Sequence, residues 1–445
     1  MKPCRTNASS NPTGPASQAA HPAFTVPCDT RPLARWLCVF GLAIAPTLHL
    51  SAIAQTLSFD QAVQLAQDQA SALRARSASV AGAVALQTPA AQLPDPRLTL
   101  GLDNLPANGP DRGSLTRDFM TMRQIGWMQE VPNAPKRQAR GDAAQARTER
   151  ERALLQAERL MVRREAALAW LARYFAERRQ ALWVDLDQEN RLLQDTAAAR
   201  VAGGKALAAD ALQVRQEALA LADRRDELQR ETARARAALR RWVGAAADMP
   251  LTEQPPVLQV DAAQVRGNLE RHADLAMYAP MAAMAQAEAR EAEAAKRGDW
   301  AWSLTYSKRG PGFSDMVSLQ FSFELPLWPT QRQDPQILAK RQEVEQIEAQ
   351  REDMLKRRAE ELASQLAEES ELGAKRARLQ DQALPLARER LALLMASYQA
   401  GRTELPAVLA ARKELAELRL RGVELQAQQL AVQLRLNSYI IESQP

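Results

Sequence analysis

Met120, Met122 and Met128 fall at even spacing within one short stretch, so a β-strand would set their side chains on one face, and thioethers suit Cu(I). Little else in the chain could complete such a site. Cys4, Cys28 and Cys38 all precede residue 55, and His272 is the one histidine after that point. Residues 55–445 therefore offer no thiolate and no disulfide, and a tight zinc, cobalt or nickel site is hard to build from one imidazole. Strand packing accounts better for the methionines. Glu130 and Glu324 hold equivalent places in an internal repeat and could be mistaken for a catalytic carboxylate pair. Each instead ends an alternating segment just before a proline, which suits a junction between two kinds of structure. No nucleophile–base arrangement, phosphate loop or metal-ligand cluster stands out, so the expectation is a non-enzyme with no cofactor and no metal.

The elements that position these residues are read from periodicity. Val317, Leu319, Phe321, Phe323 and Leu325 alternate with Ser318, Gln320, Ser322 and Glu324, the pattern of a strand with one apolar and one wet face. The same pattern stands 194 residues earlier, where Ile125-Gly126-Trp127-Met128-Gln129-Glu130-Val131-Pro132-Asn133-Ala134-Pro135 matches Leu319 to Pro329. The chain therefore reads as a tandem duplication. Residues 55–250 form the first repeat: a helix from Ser58 to about Pro89, strands at about 97–105 and 119–131, and a long helical hairpin turning at about 201–207. Residues 251–445 form the second: a helical segment over 261–297 with a kink or break at Pro280, strands at about 299–307 and 315–327, and a second hairpin turning at about 399–405. The rods over about 136–200 and 335–397 are several times longer than an average globular helix.

Aromatic residues make up 5% of the 445, and Ala, Leu, Gln, Glu and Arg fill long tracts, a composition for extended helices rather than a large packed core. The formal charge is +5; four cations and one acid in residues 1–54 leave +2 for the rest, too little for nucleic-acid binding. Arg31 and Arg35 precede an apolar run from Trp36 to Leu50 and then Ala52-Ile53-Ala54, so residues 1–54 are expected to be a secretory signal peptide cleaved after Ala54. Gln55 rather than cysteine follows the cleavage point, so no lipid anchor is expected.

Four strands make no stable closed barrel, because closure needs at least eight. The apolar face carries Trp127, Trp300, Trp302, Phe321 and Phe323, fit for lipid, while Gln, Ser, Thr and Glu would face a watery lumen. Three copies would give twelve strands and no unpaired edge. Twelve rods would then enclose a second, water-filled tube.

The signal peptide, the duplicated helix–strand–strand–helix plan and the Ala-Gly-x-x-x-Leu turns (Ala202-Gly203 with Leu207, Ala400-Gly401 with Leu405) resemble the TolC-like outer-membrane efflux proteins over nearly all of residues 55–441. Within that family, Leu93-Pro94-Asp95-Pro96-Arg97-Leu98-Thr99-Leu100-Gly101-Leu102-Asp103-Asn104-Leu105-Pro106, with Met120-Thr121-Met122 and Gln129-Glu130-Val131-Pro132, is similar to the heavy-metal branch. The resemblance implies a homotrimer in the outer membrane of a Gram-negative bacterium, with a 12-stranded barrel in lipid and a long α-helical tunnel in the periplasm. It further implies docking through a periplasmic adaptor onto an inner-membrane RND-type proton-driven pump. The hairpin tips, with Gly203, Leu207, Asp210, Gly401, Glu404 and Leu405, match the family's tunnel entrance and adaptor-docking region. A tight turn between helices also requires glycine for its own sake. Asp210 and Glu404 are the acids near those turns; they either ring the closed mouth and favour cations or supply ordinary charge at a helix N-terminus.

Three classes compete. A transport conduit, for heavy-metal cations, drugs or a type I secreted polypeptide, accounts for both strands and rods. A periplasmic coiled-coil adaptor should carry compact β-domains of roughly 70 to 90 residues, whereas here two isolated strand pairs interrupt helix. A filament protein has no use for alternating aromatic strands.

Overall fold

The computed structural model describes residues 56–204, 208–251 and 254–439, so the expected signal peptide and Leu207 lie outside the described residues. Ser58 caps α1 (Phe59–Gln69) in a reciprocal box with Gln61, the N-terminus that the Ser-x-x-Gln spacing predicts. The first helix does not run unbroken to Pro89. Ala70, at ψ 111°, leaves the helical region and lets α2 (Ser71–Ala90) change direction; α1 packs on α3 and α4, introduced below, and α2 follows α3.

β1 (Arg97–Asp103) and β2 (Met122–Val131) are shorter than expected, for local reasons. Asn104 takes the left-handed conformation at φ 56° and ends β1. The Asp118 carboxylate accepts the N–H groups of Met120 and Thr121, holding residues 119–121 in a turn. α3 (Ala134–Ala202) runs 69 residues, roughly 100 Å of continuous helix. α4 (Ala208–Val243) returns beside it.

The stretch expected as one helix over 261–297 is divided into α5 (Ala262–Gly267), a 3₁₀ turn, α6 (Ala273–Ala276) and α7 (Tyr278–Ala294). Pro280 neither kinks nor breaks α7; it sits in the first turn, where an N–H would have no helical partner. β3 (Trp300–Lys308) and β4 (Met316–Phe323) follow, β4 ending short of the expected 327 as Leu325 and Pro326 approach. The second rod comprises α8 (Gln333–Arg378), a π turn at Leu379–Ala383 and α9 (Leu384–Gln399). Pro385 has no N–H for the carbonyl four residues back, and the helix widens just before it. α10 (Leu405–Asn437) closes the second hairpin.

The main core lies where α1, α3, α4 and α10 meet around Trp170, which is fully buried. Its indole N–H donates to the Leu57 carbonyl at 3.2 Å, and its ring stacks on Tyr174 and meets Phe59 edge-on. Buried Arg173 donates to the carbonyls of Ala247 (2.5 Å) and Met249 (2.9 Å), which secures the turn after α4. A second core joins α5, α8 and α10 through Val265, Leu362, Leu372, Leu425, Val432 and Leu436.

Candidate conduit wall and tunnel mouth

The strands form one antiparallel sheet in the order β1-β2-β3-β4. Alternation puts cross-strand partners on a common face. Leu98 opposes Trp127, Trp127 opposes Leu304, and Leu304 opposes Leu319; Leu100, Ile125, Tyr306 and Val317 form the next row. This face is bare: Leu100 is 75% exposed, Phe323 67% and Val317 68%. The opposite face carries Thr99, Gln124, Ser303, Thr305, Ser318 and Gln320. Met122 and Met128 lie on that polar face, opposite Asp103 and Ser303, and Met120 falls outside the strand. The three methionines therefore do not line one strand face as their spacing suggests. Gly126 is flanked there by Thr99 and Thr305, and a Cβ at 126 would stand 2.4 Å from the Thr99 hydroxyl. Among the described residues the outer edges of β1 and β4 pair with no strand.

Where sheet meets rods, Asn133 and Asp299 join the two repeats. The Asn133 side chain caps α3 by accepting the Lys136 N–H at 2.9 Å and donates to the carbonyls of Ala294 and Arg297. The Asp299 carboxylate accepts the Asn133 backbone N–H at 2.9 Å and the Lys136 ammonium at 2.7 Å. Burial pushes the Asp299 carboxyl up, but the Lys136 and Asn133 hydrogen bonds and the charges of Lys136 and Arg140 outweigh it and hold it below its ordinary value. Gly298 passes so close to β4 that a Cβ there would lie 1.7 Å from the Glu324 carbonyl oxygen. Glu130, on the polar face, pairs with Arg97 at 3.0 Å. α7 carries acids to both neighbours, Glu291 to Arg140 on α3 and Glu293 to Arg341 on α8.

At the hairpin tips, Gly401 turns in the left-handed region at φ 71°. Its counterpart is Gly204 at φ 67°, whereas Gly203, singled out by the Ala-Gly pattern, caps α3 at φ −84°. The Gly-Gly pair leaves sequence reasoning no means of choosing between them. Asp210 lies in the first turn of α4. Glu404 is the exposed N-cap of α10 and its side chain caps nothing. Leu405, 3% exposed, packs with Leu409 against Val214 of α4, so it ties one hairpin to the other.

One cluster escapes the sequence entirely. His272, buried, accepts the Asp274 N–H at its Nδ1 (3.2 Å) and its ring lies 4.7 Å from that of Tyr439; Arg358 bonds Asp274 and Glu361 beside it. Burial lowers the imidazole pKa from its ordinary 6.5, with Arg358 and Arg164 acting the same way against Asp274 and Glu361. These groups lie on four separate segments, and no spacing announces them. Among the described residues no group of three or more His, Cys, Asp or Glu is placed to hold a metal, and no helix is long and apolar enough to cross a membrane.

No protein-family model and no curated protein matches the chain. Solved structures do. A membrane protein from Pseudomonas aeruginosa is similar at TM-score 0.75 and 17% identity, over 86% of this chain and 90% of that one. The outer membrane protein VceC from Vibrio cholerae is similar at 0.73 and 20%, over 86% and 95%. The open-state MtrE outer membrane channel of Neisseria gonorrhoeae is similar at 0.69 and 14%, over 86% and 88%. The chain thus has the fold of outer-membrane channels.

Proposed function

We propose that the chain is the outer-membrane component of a tripartite efflux system, a passive conduit from the periplasm to the exterior. The observation that carries this reading is a four-stranded sheet with one bare apolar face and two open edges, mounted on helices too long for a globular core. Open edges and exposed Leu, Val and Phe are both costly in water, and a closed barrel in lipid satisfies both at once. Strands of seven to ten residues approach the length a tilted membrane strand needs. Three copies give twelve strands, and their rods continue the bore into the periplasm. A periplasmic adaptor would dock at the hairpin tips around Gly203, Leu207 and Gly401, and an inner-membrane RND-type proton-driven pump would supply the energy.

The cargo we propose is heavy-metal cations, on the likeness of the Leu93 to Pro106 segment to that branch; drugs and secreted polypeptides are the alternatives. Unboiled gels of outer-membrane fractions test the conduit. A band near three times the monomer mass that collapses on boiling is expected, and a water-soluble monomer after export would end the reading. Loss of metal tolerance without loss of drug tolerance in a deletion strain tests the cargo.

A further inference from the structure

The open edges can be matched residue by residue, because the chain already contains one copy of the joint it lacks. β2 ends the first repeat's strand pair and β3 begins the second's, so the β2–β3 pairing joins repeat to repeat within one chain. Trp127 corresponds to Phe321, and their hairpin partners Leu98 and Trp302 therefore correspond as well, 194 and 204 positions apart. Applying these two shifts to the observed pair Trp127–Leu304 converts it to Phe321 with Leu100. We infer that β4 of one copy pairs antiparallel with β1 of a second copy in this register. Phe323 then opposes Leu98, and Leu319 opposes Leu102. This inference rests on the conduit reading and deepens it by naming the residues that close the wall.

Two independent features agree with it. All six apolar side chains just named are more than 40% exposed in the single chain and lie on its bare face, so the joint sets them side by side as three cross-strand pairs that continue that face. Slips by one residue would set them against the wet face and are excluded by parity; slips by two are not, and there the internal repeat decides. On the wet face the same register puts Ser322 beside Thr99 and Ser318 beside Asp103. The second feature is on the helices. The 204-residue shift takes Arg290 of α7, which faces α3, onto Leu86 of α2. Arg290 pairs with Asp142 of α3 at 3.0 Å, whereas Leu86 is an exposed apolar side chain and α8 shows exposed Leu338 near the level that corresponds to Asp142. At this point a charged pair inside the chain corresponds to two apolar side chains where two copies would meet.

Residues 55–445 contain no cysteine, so disulfide trapping needs no prior mutagenesis there. Thr99→Cys with Ser322→Cys, and Asp103→Cys with Ser318→Cys, are made in the full chain, exported, and oxidised in outer-membrane fractions with copper-phenanthroline. Within one chain the two edge strands are separated by about 14 Å across the sheet, beyond the roughly 7 Å that a disulfide spans between Cα atoms. Both pairs are expected to convert most of the protein to a reducible covalent trimer on boiled, non-reducing gels. Gly101→Cys with Ser322→Cys, one step of two residues away, is expected to give at least five-fold less. Single-cysteine variants set the background, and unboiled migration confirms assembly of each variant. Preferential trapping of the shifted pair would overturn the register while leaving the conduit intact, as would a heat-modifiable trimer in which neither matched pair cross-links. Absence of any trimer in the cysteine-free protein would instead overturn the conduit.

Discussion

Burial holds the His272 imidazole below its ordinary pKa. Its pKa is lowered in the folded chain, so between the folded value and 6.5 the unfolded chain binds more protons, and stability falls as pH drops below 6.5. The temperature at which the protein unfolds in detergent should therefore decline from pH 7 to pH 5. His272→Phe, which keeps a ring against Tyr439 and cannot titrate, should flatten that decline; an unchanged slope would locate the titration elsewhere. Glycine positions offer a second residue-scale contrast. Gly298→Ala forces a methyl into the Glu324 carbonyl and should destabilise by about 1–3 kcal/mol, with less assembled protein in the outer membrane. Gly82→Ala, on α2 with nothing within 4 Å of the new methyl, should stabilise by roughly 0.5–1 kcal/mol. Equal yields of the two variants would refute the close approach at 298.

At the scale of elements, the two long helical hairpins rest on their two larger cores and also on smaller joints. Leu405 is one. Truncating a buried leucine removes its transfer energy and leaves a cavity, so Leu405→Ala should destabilise by about 2–5 kcal/mol, read as a lower denaturant midpoint. The exposed Leu393→Ala in α9 should change it by less than about 0.5 kcal/mol. The Asn133–Asp299–Lys136 junction is another such joint, and it decides where strand becomes rod. Proline positions explain the element boundaries that periodicity misplaces: Pro280 is harmless in a first turn, whereas Pro385 opens a π turn within what reads as an unbroken rod.

At the scale of the molecule, charge at the hairpin tips would set which ions enter the proposed bore. Glu404 is exposed at the N-cap of α10 and its side chain makes no cap hydrogen bond, and Asp210 lies in the first turn of α4. If these acids ring the mouth of three assembled copies, Asp210→Ala and Glu404→Ala channels in planar bilayers should lose cation preference and open more often. Wild-type selectivity and open time in both would leave them as helix-terminal charge. The sequence by itself determined the two-faced strands, the overlong helices and the repeat that relates them, because each is a local periodicity that one stretch of chain carries alone. It also marked the glycine turns, though not which of Gly203 and Gly204 takes the left-handed conformation. Only the tertiary structure decided that Met122 opposes Asp103 and Met128 opposes Ser303, that Asp299 fastens to Asn133, and that His272 lies buried against Tyr439 and beside Arg358. Those outcomes depend on the register between strands and the contact between helices far apart in the chain, where packing selects among alternatives that local pattern leaves equal.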